Sequence, residues 1–128
     1  MADIIHQEVV FPVSPERLYE ALIDSRKHSE FTGAAATISR EAGGEISTHG
    51  GVIQGRNIEL VQNRRIVQAW RVKNWEEGLY SVVRYELRPE GSKTRLVFEH
   101  TAFPGAEKSH LESGWYAQYW EPLGKYLA

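Results

Sequence analysis

From Ile4 to Phe11 the chain reads IIHQEVVF, a stretch dominated by β-branched and apolar residues that predicts a first strand. The period then changes. In VSPERLYEALID, Ser14 is placed to cap a helix, Pro15 suits its first position, and Leu18, Tyr19, Leu22 and Ile23 recur at helical spacing to about Asp24. SRKHSEFTGA is polar and predicts a second short helical segment, ended by Gly33.

Beyond Gly33 the pattern becomes that of a strand meander. AATISRE, GGEIST, GGVIQGRNIELV, RRIVQAWRVK, LYSVVRYELRP and KTRLVFEHTAF are separated by Gly43-Gly44, Gly50-Gly51, Asn63-Arg64, a loop around Glu76-Glu77-Gly78, and Glu90-Gly91-Ser92. Connections this short favour antiparallel neighbours. After Phe103-Pro104-Gly105 helical spacing returns. The order predicts an α+β fold: one curved antiparallel sheet, two short helices after the first strand, and one dominant C-terminal helix, forming a single domain over residues 1–128.

That last helix carries an unusually wide apolar face. A step of about 100° per residue from Leu111 spreads Trp115, Tyr116, Tyr119, Trp120 and Pro122 over roughly half the circumference, with Leu123, Tyr126 and Leu127 in the same arc. A helix on a flat sheet needs only about 100° of apolar stripe, so the sheet is expected to wrap around it. Gln118, Glu121 and Lys125 fall on the solvated side, Glu112 lies near the helix start, and Pro122 is expected to bend the helix.

Alternation assigns the sheet faces. Ser81, Val83, Tyr85 and Leu87 point inward against Val82, Arg84, Glu86 and Arg88; Leu96, Phe98 and His100 point inward against Arg95 and Glu99; Ile66, Gln68, Trp70 and Val72 point inward against Arg71 and Lys73. Each inward face thus carries one polar group, Gln68, Ser81 or His100. A buried polar group is costly without a partner, so these three are either hydrogen-bonded within the core or set to orient a ligand in a cavity.

Composition narrows the partners. With 128 residues, 15 basic against 17 acidic side chains and a formal charge of −2, the chain lacks the basic excess that nucleic acid or an anionic membrane calls for. There is no cysteine, which excludes disulfides and thiolate chemistry. The MADIIHQEVVF start does not read as a signal peptide and no apolar run approaches the ~20 residues of a membrane span, so a cytoplasmic location is expected. His6, His28, His49, His100 and His110 offer no pair at the i, i+4 spacing of helical zinc sites, and no metal or cofactor is assigned. The Gly-rich GGVIQG and GGEIS read as turns, since no helix follows to hold phosphate. Glu30 and Glu99 earn no catalytic role. His100 is the best candidate for proton transfer, by its ordinary pKa near 6.5, although a hydrogen-bonded structural histidine explains it as well. No catalytic residue is assigned.

FPVSPERLYEALID, FTGAAATIS, GVIQGRNIELVQNRRIVQAWRVKNWEEGLYSVV, TRLVFEH and GWYAQYW, in this order and spacing, resemble the domain shared by homologs of the activator of heat-shock protein 90 ATPase. The resemblance runs from Phe11 to Tyr126 and is most specific between Gly55 and Ser81. It implies the START-related, birch-pollen-allergen-like (SRPBCC) superfamily, whose helix-grip fold closes a curved sheet over a long C-terminal helix with a cavity between them. It also implies that the domain which precedes this one in the eukaryotic co-chaperones, and which carries their principal chaperone contacts, has no room within 128 residues.

Two functions follow as expectations. The first is a binding module for a small apolar or amphipathic molecule, with Trp70, Trp75, Tyr85, Phe98, Trp115, Tyr119 and Leu123 supplying contact surface and Gln68, Ser81 and His100 orienting the ligand. The alternative is a protein-interaction module whose partner is a chaperone of the heat-shock protein 90 type, docked on the outer sheet surface around Arg84, Glu86 and Arg88. An enzyme acting in the cavity is a further alternative, to be discriminated at His100.

Overall fold

A computed structural model describes residues 3–128. Seven strands form one antiparallel sheet: β1 (Ile4–Phe11), β2 (Thr37–Ile38), β3 (Glu45–Thr48), β4 (Ile53–Val61), β5 (Arg65–Val72), β6 (Ser81–Glu90) and β7 (Lys93–Thr101), in the order β1-β7-β6-β5-β4-β3-β2. Apart from β1, each strand lies beside its sequence neighbour, as the short turns require. The first strand joins the far edge by pairing Ile4 with Thr101 and Phe11 with Thr94.

Local chemistry sets the two short helices. In α1 (Pro15–Ile23) the Ser14 hydroxyl accepts from the Arg17 N–H at 3.3 Å, and in α2 (Ser25–Thr32) the Asp24 carboxylate accepts from the Lys27 N–H at 2.9 Å. Gly33 closes α2 in the left-handed conformation at φ 76°, as its place in the sequence predicts.

The C-terminal helix, α3 (Lys108–Trp115) and α4 (Glu121–Leu127), is continuous through a π-helical turn at Tyr116–Trp120. Pro122 has no N–H to donate and its ring crowds the carbonyl one α-turn earlier; a wider turn just ahead of it relieves both demands. The expected distortion at Pro122 therefore takes the form of an extra residue per turn. This corrects the uniform 100° projection: Trp115 and Trp120, five apart, stack at 5.6 Å with only 17° between their planes, whereas Tyr116 is 44% exposed and Pro122 and Tyr126 are half-buried.

The sheet curves around the buried side of this helix. Leu111, Trp115, Tyr119, Trp120, Leu123 and Leu127 meet Ile66, Trp70, Val83, Tyr85, Leu96 and Phe98 in one core with the apolar faces of α1 and α2. The alternation holds on β5, β6 and β7, with one exception in Val97, which is buried on the opposite face. The strand expected from AATISRE is reduced to Thr37–Ile38, and the last strand stops at Thr101, where Ala102 turns to φ 63°. No helix among the described residues is long and apolar enough to cross a membrane.

Candidate functional site

Between the C-terminal helix and the β4–β5 side of the sheet lies a cavity of about 320 Å³. Its sheet wall is Ile53, Trp70 and Val72; its helix wall is Leu111, Gly114, Trp115 and Tyr119. The 3₁₀ turn at His49–Gly51 and the following Val52 close one side, and His110 and Gln118 stand on the helix side. Among the described residues, no Lys, Arg, Asp or Glu contributes to the wall. The volume is at the lower end of the about 300–1,000 Å³ typical of small-molecule sites, and the lining, aromatic with a few polar groups, is of the same kind.

Of the ten residues assigned to the cavity from sequence, Trp70, Trp115 and Tyr119 line it. The remaining seven lie in the packed core. Tyr85, Phe98 and Leu123 fill the space under the helix, with the Phe98 ring 4.4 Å from that of Trp115. Trp75 is buried edge-on to Trp70 at 5.8 Å, backing the cavity wall without joining it. Arg71 fixes that loop by donating to the carbonyl oxygens of Trp75, Glu76 and Leu79 at 2.7, 3.2 and 3.3 Å.

Gln68, Ser81 and His100 are satisfied by the protein itself. The Trp115 indole N–H donates to His100 Nδ1 at 3.1 Å, which leaves the proton of the neutral ring on Nε2, 2.8 Å from Ser81 Oγ; the Ser81 hydroxyl donates to the Trp70 carbonyl at 2.7 Å. Burial pushes the His100 pKa down to about 3. The ring is wholly buried and all its polar atoms are engaged, so it serves as a strut joining helix to sheet. Gln68 donates to Asn57 Oδ1 at 3.1 Å, and the Asn57 amide donates to the carbonyl oxygens of Ser39 and Glu41 at 2.7 and 3.1 Å. Neither Glu30 nor Glu99 is part of the cavity wall: Glu30 accepts from the Tyr126 hydroxyl at 2.6 Å, and Glu99 lies among the outer charges.

A second polar group beside the cavity has no such closure. His28 and His49 stand edge to face at 6.3 Å, both against Tyr119, at 5.5 and 5.2 Å. His28 Nδ1 and His49 Nε2 are buried and have no hydrogen-bond partner among the described residues. Burial, with a smaller push from His49, lowers the His28 pKa to about 4, and burial lowers that of His49 as well. His28 sat in a polar stretch and His49 beside a Gly-Gly turn, so neither showed a periodic signal. Gln7, by contrast, alternates with Ile5 and Phe11 on β1; it accepts the Trp120 indole N–H at 2.7 Å and donates to the Glu112 carbonyl at 3.0 Å.

Comparison with known proteins places these features in a family. The chain is 31% identical over 113 residues to the human protein named activator of 90 kDa heat shock protein ATPase homolog 1, covering 88% of this chain and 33% of the relative. It is 35% identical over 106 residues to the Dictyostelium discoideum protein named activator of 90 kDa heat shock protein ATPase homolog, covering 82% of this chain and 28% of that protein. It thus spans about a third of the length of the curated relatives it matches. The crystal structure of an HSP90 activator from Plasmodium falciparum superposes with a TM-score of 0.86 at 25% identity, covering 91% of this chain and 89% of that one. The family model described as activator of Hsp90 ATPase homolog 1-like protein matches residues 12–128, and with the helix-grip architecture this shows that the chain belongs to that family.

Proposed function

We propose that this domain binds a small, mainly apolar molecule in the cavity between sheet and C-terminal helix. The observation that carries the proposal is the cavity itself: about 320 Å³, walled mainly by Trp70, Trp115, Tyr119 and aliphatic side chains, with no Lys, Arg, Asp or Glu among the described lining residues. Binding there is driven by removing apolar surface from water, at about 25 cal/mol per Å². The test is native mass spectrometry of protein purified gently from its own host. A stoichiometric adduct released on denaturation supports the proposal. A bare mass, together with unchanged tryptophan fluorescence across a panel of apolar probes, overturns it.

A second reading, docking to a chaperone of the heat-shock protein 90 type, is favoured by the names of the relatives, which are activators of that ATPase. Their full lengths are about three times that of this chain, so the activity of the whole relatives is carried here only as this proposal. The outer sheet face offers charge for it, but much of that charge is already paired: Arg84 with Glu99 at 3.0 Å, and Arg65 with Glu86 at 2.8 Å and Glu59 at 3.0 Å. Capture of the chaperone by the wild type, lost on charge reversal at Arg84, Glu86 and Arg88, supports this reading. Capture that survives the reversals, or no capture, removes it.

A further inference from the structure

Several buried polar groups of the inner core are paired: His100 between Trp115 and Ser81, Gln68 with Asn57, Gln7 between Trp120 and the helix backbone, and Thr94 with the Val13 carbonyl at 2.8 Å. Among the described residues, His28 Nδ1, His49 Nε2 and the Trp75 indole nitrogen near the cavity are buried without a partner. Of these three, His49 is the one that lines the cavity. Its Nε2 has no partner, and its Nδ1 has only a contact of 3.5 Å with Thr48 Oγ1, the long limit of a hydrogen bond.

The backbone here is also unusual. His49 has φ 52° and is followed by Gly50 and Gly51 at 65° and 94°, three consecutive residues in the left-handed region. Glycine adopts this conformation freely; histidine does so at a cost, and such costs gather at ligand sites. The turn sets the imidazole against Tyr119 and His28 rather than releasing it to solvent.

We propose that His49 is the polar anchor of the cavity, and that the molecule it takes is apolar with one uncharged hydroxyl, an alcohol or a phenol. The inference rests on the cavity being a binding site and adds which group orients the ligand. Three observations select the hydroxyl. Among the described residues the wall contains no Lys or Arg to balance a carboxylate and no Asp or Glu to balance an amine. Burial without a charged partner holds His49 and His28 in their neutral forms. A neutral imidazole presents one donor and one acceptor nitrogen, and a hydroxyl, which both donates and accepts, satisfies either tautomer. Because the one polar contact of the His49 ring among the described residues is long, a hydrogen bond to a ligand sacrifices little and supplies a partner to an atom that has none.

Three bicyclic probes test this: 2-naphthol, naphthalene and 2-naphthoate, titrated against the full chain and followed by the fluorescence of Trp70 and Trp115. The expected result is that 2-naphthol binds at least about fivefold more tightly than naphthalene, the worth of one net hydrogen bond, with 2-naphthoate weakest. In His49→Leu the ratio of 2-naphthol to naphthalene affinity is expected to collapse to about one. Should the left-handed backbone make that variant fold poorly, the wild type still decides: in a long-range ¹H–¹⁵N spectrum the His49 ring nitrogens are expected to shift with 2-naphthol and to remain in place with naphthalene. Equal affinity for 2-naphthol and naphthalene overturns the anchor while leaving the cavity a binding site. Preference for 2-naphthoate overturns the uncharged hydroxyl. Binding of none of the three counts against the cavity as a site for apolar ligands, and overturns the anchor with it.

Discussion

Trp115 meets both the cavity and the core. One face lines the empty volume, while its indole N–H closes the chain through His100 and Ser81 to the Trp70 carbonyl. Trp115→Phe keeps most of the ring but leaves His100 Nδ1 unpaired, and is expected to cost about 1–3 kcal/mol in urea denaturation. Trp115→Ala also opens a void, and about 3–5 kcal/mol is expected with loss of probe binding. The histidines predict acid sensitivity. The unfolded chain takes up protons on them as pH falls through 6.5, whereas the fold resists until about 4 at His28 and about 3 at His100. The unfolded state therefore binds more protons in that window, and stability, fully present above pH 6.5, declines as pH drops toward 4. His28→Phe, which removes a buried unpaired nitrogen, is expected to flatten the fall in melting temperature measured between about pH 7 and pH 4. At this scale alternation found Ser81 and His100 but not their bond. The two residues are diagonal neighbours across β6 and β7, and a register that pairs Val83 with His100 becomes visible only once the strands are aligned. His49 was beyond reach for a different reason: turn residues have no period.

Among the elements, β4 and the C-terminal helix depart most from their sequence patterns. Asn57 and Glu59 of β4 flank a bulge opposite β5, after which the inward set passes from Ile53, Gly55 and Asn57 to Leu60, paired with Ile66. Asn57, inward just before the bulge, ties down the β2–β3 connection. Two residues earlier, Gly55 faces Trp70, and a Cβ there would lie 1.8 Å from the Ala69 carbonyl oxygen. Such contact forces the strands apart, so Gly55→Ala is expected to destabilise by at least about 2 kcal/mol and to perturb the cavity wall at Trp70, measured by melting and by tryptophan emission. In the C-terminal helix the apolar arc was legible and the π-turn was not, because a projection at fixed angle has no place for an added residue. Leu111, Trp115, Tyr119, Trp120, Leu123 and Leu127 are buried as that arc required; Tyr116, just inside the widened turn, is not.

For the molecule as a whole, element order and turn chemistry sufficed to give the sheet, its neighbours and its grip on the last helix. The cavity was expected there, but its position was not legible, since it depends on where side chains fail to meet. Outer-face charges add little to stability: Arg65→Ala is expected to leave the melting temperature nearly unchanged, because ion pairs at the surface are screened by water and salt. The pairing of Ile4 with Thr101 has a consequence for synthesis. A chain emerging from the ribosome presents β1 first, yet that strand has no partner until β7 appears, and the sheet has no helix to hold until Trp115, Tyr119 and Trp120 follow. The later strands can pair with their sequence neighbours as they appear, but β1 waits for β7 and the inner apolar face waits for the last helix, so stable closure of the domain is expected only once its C-terminal helix has been made.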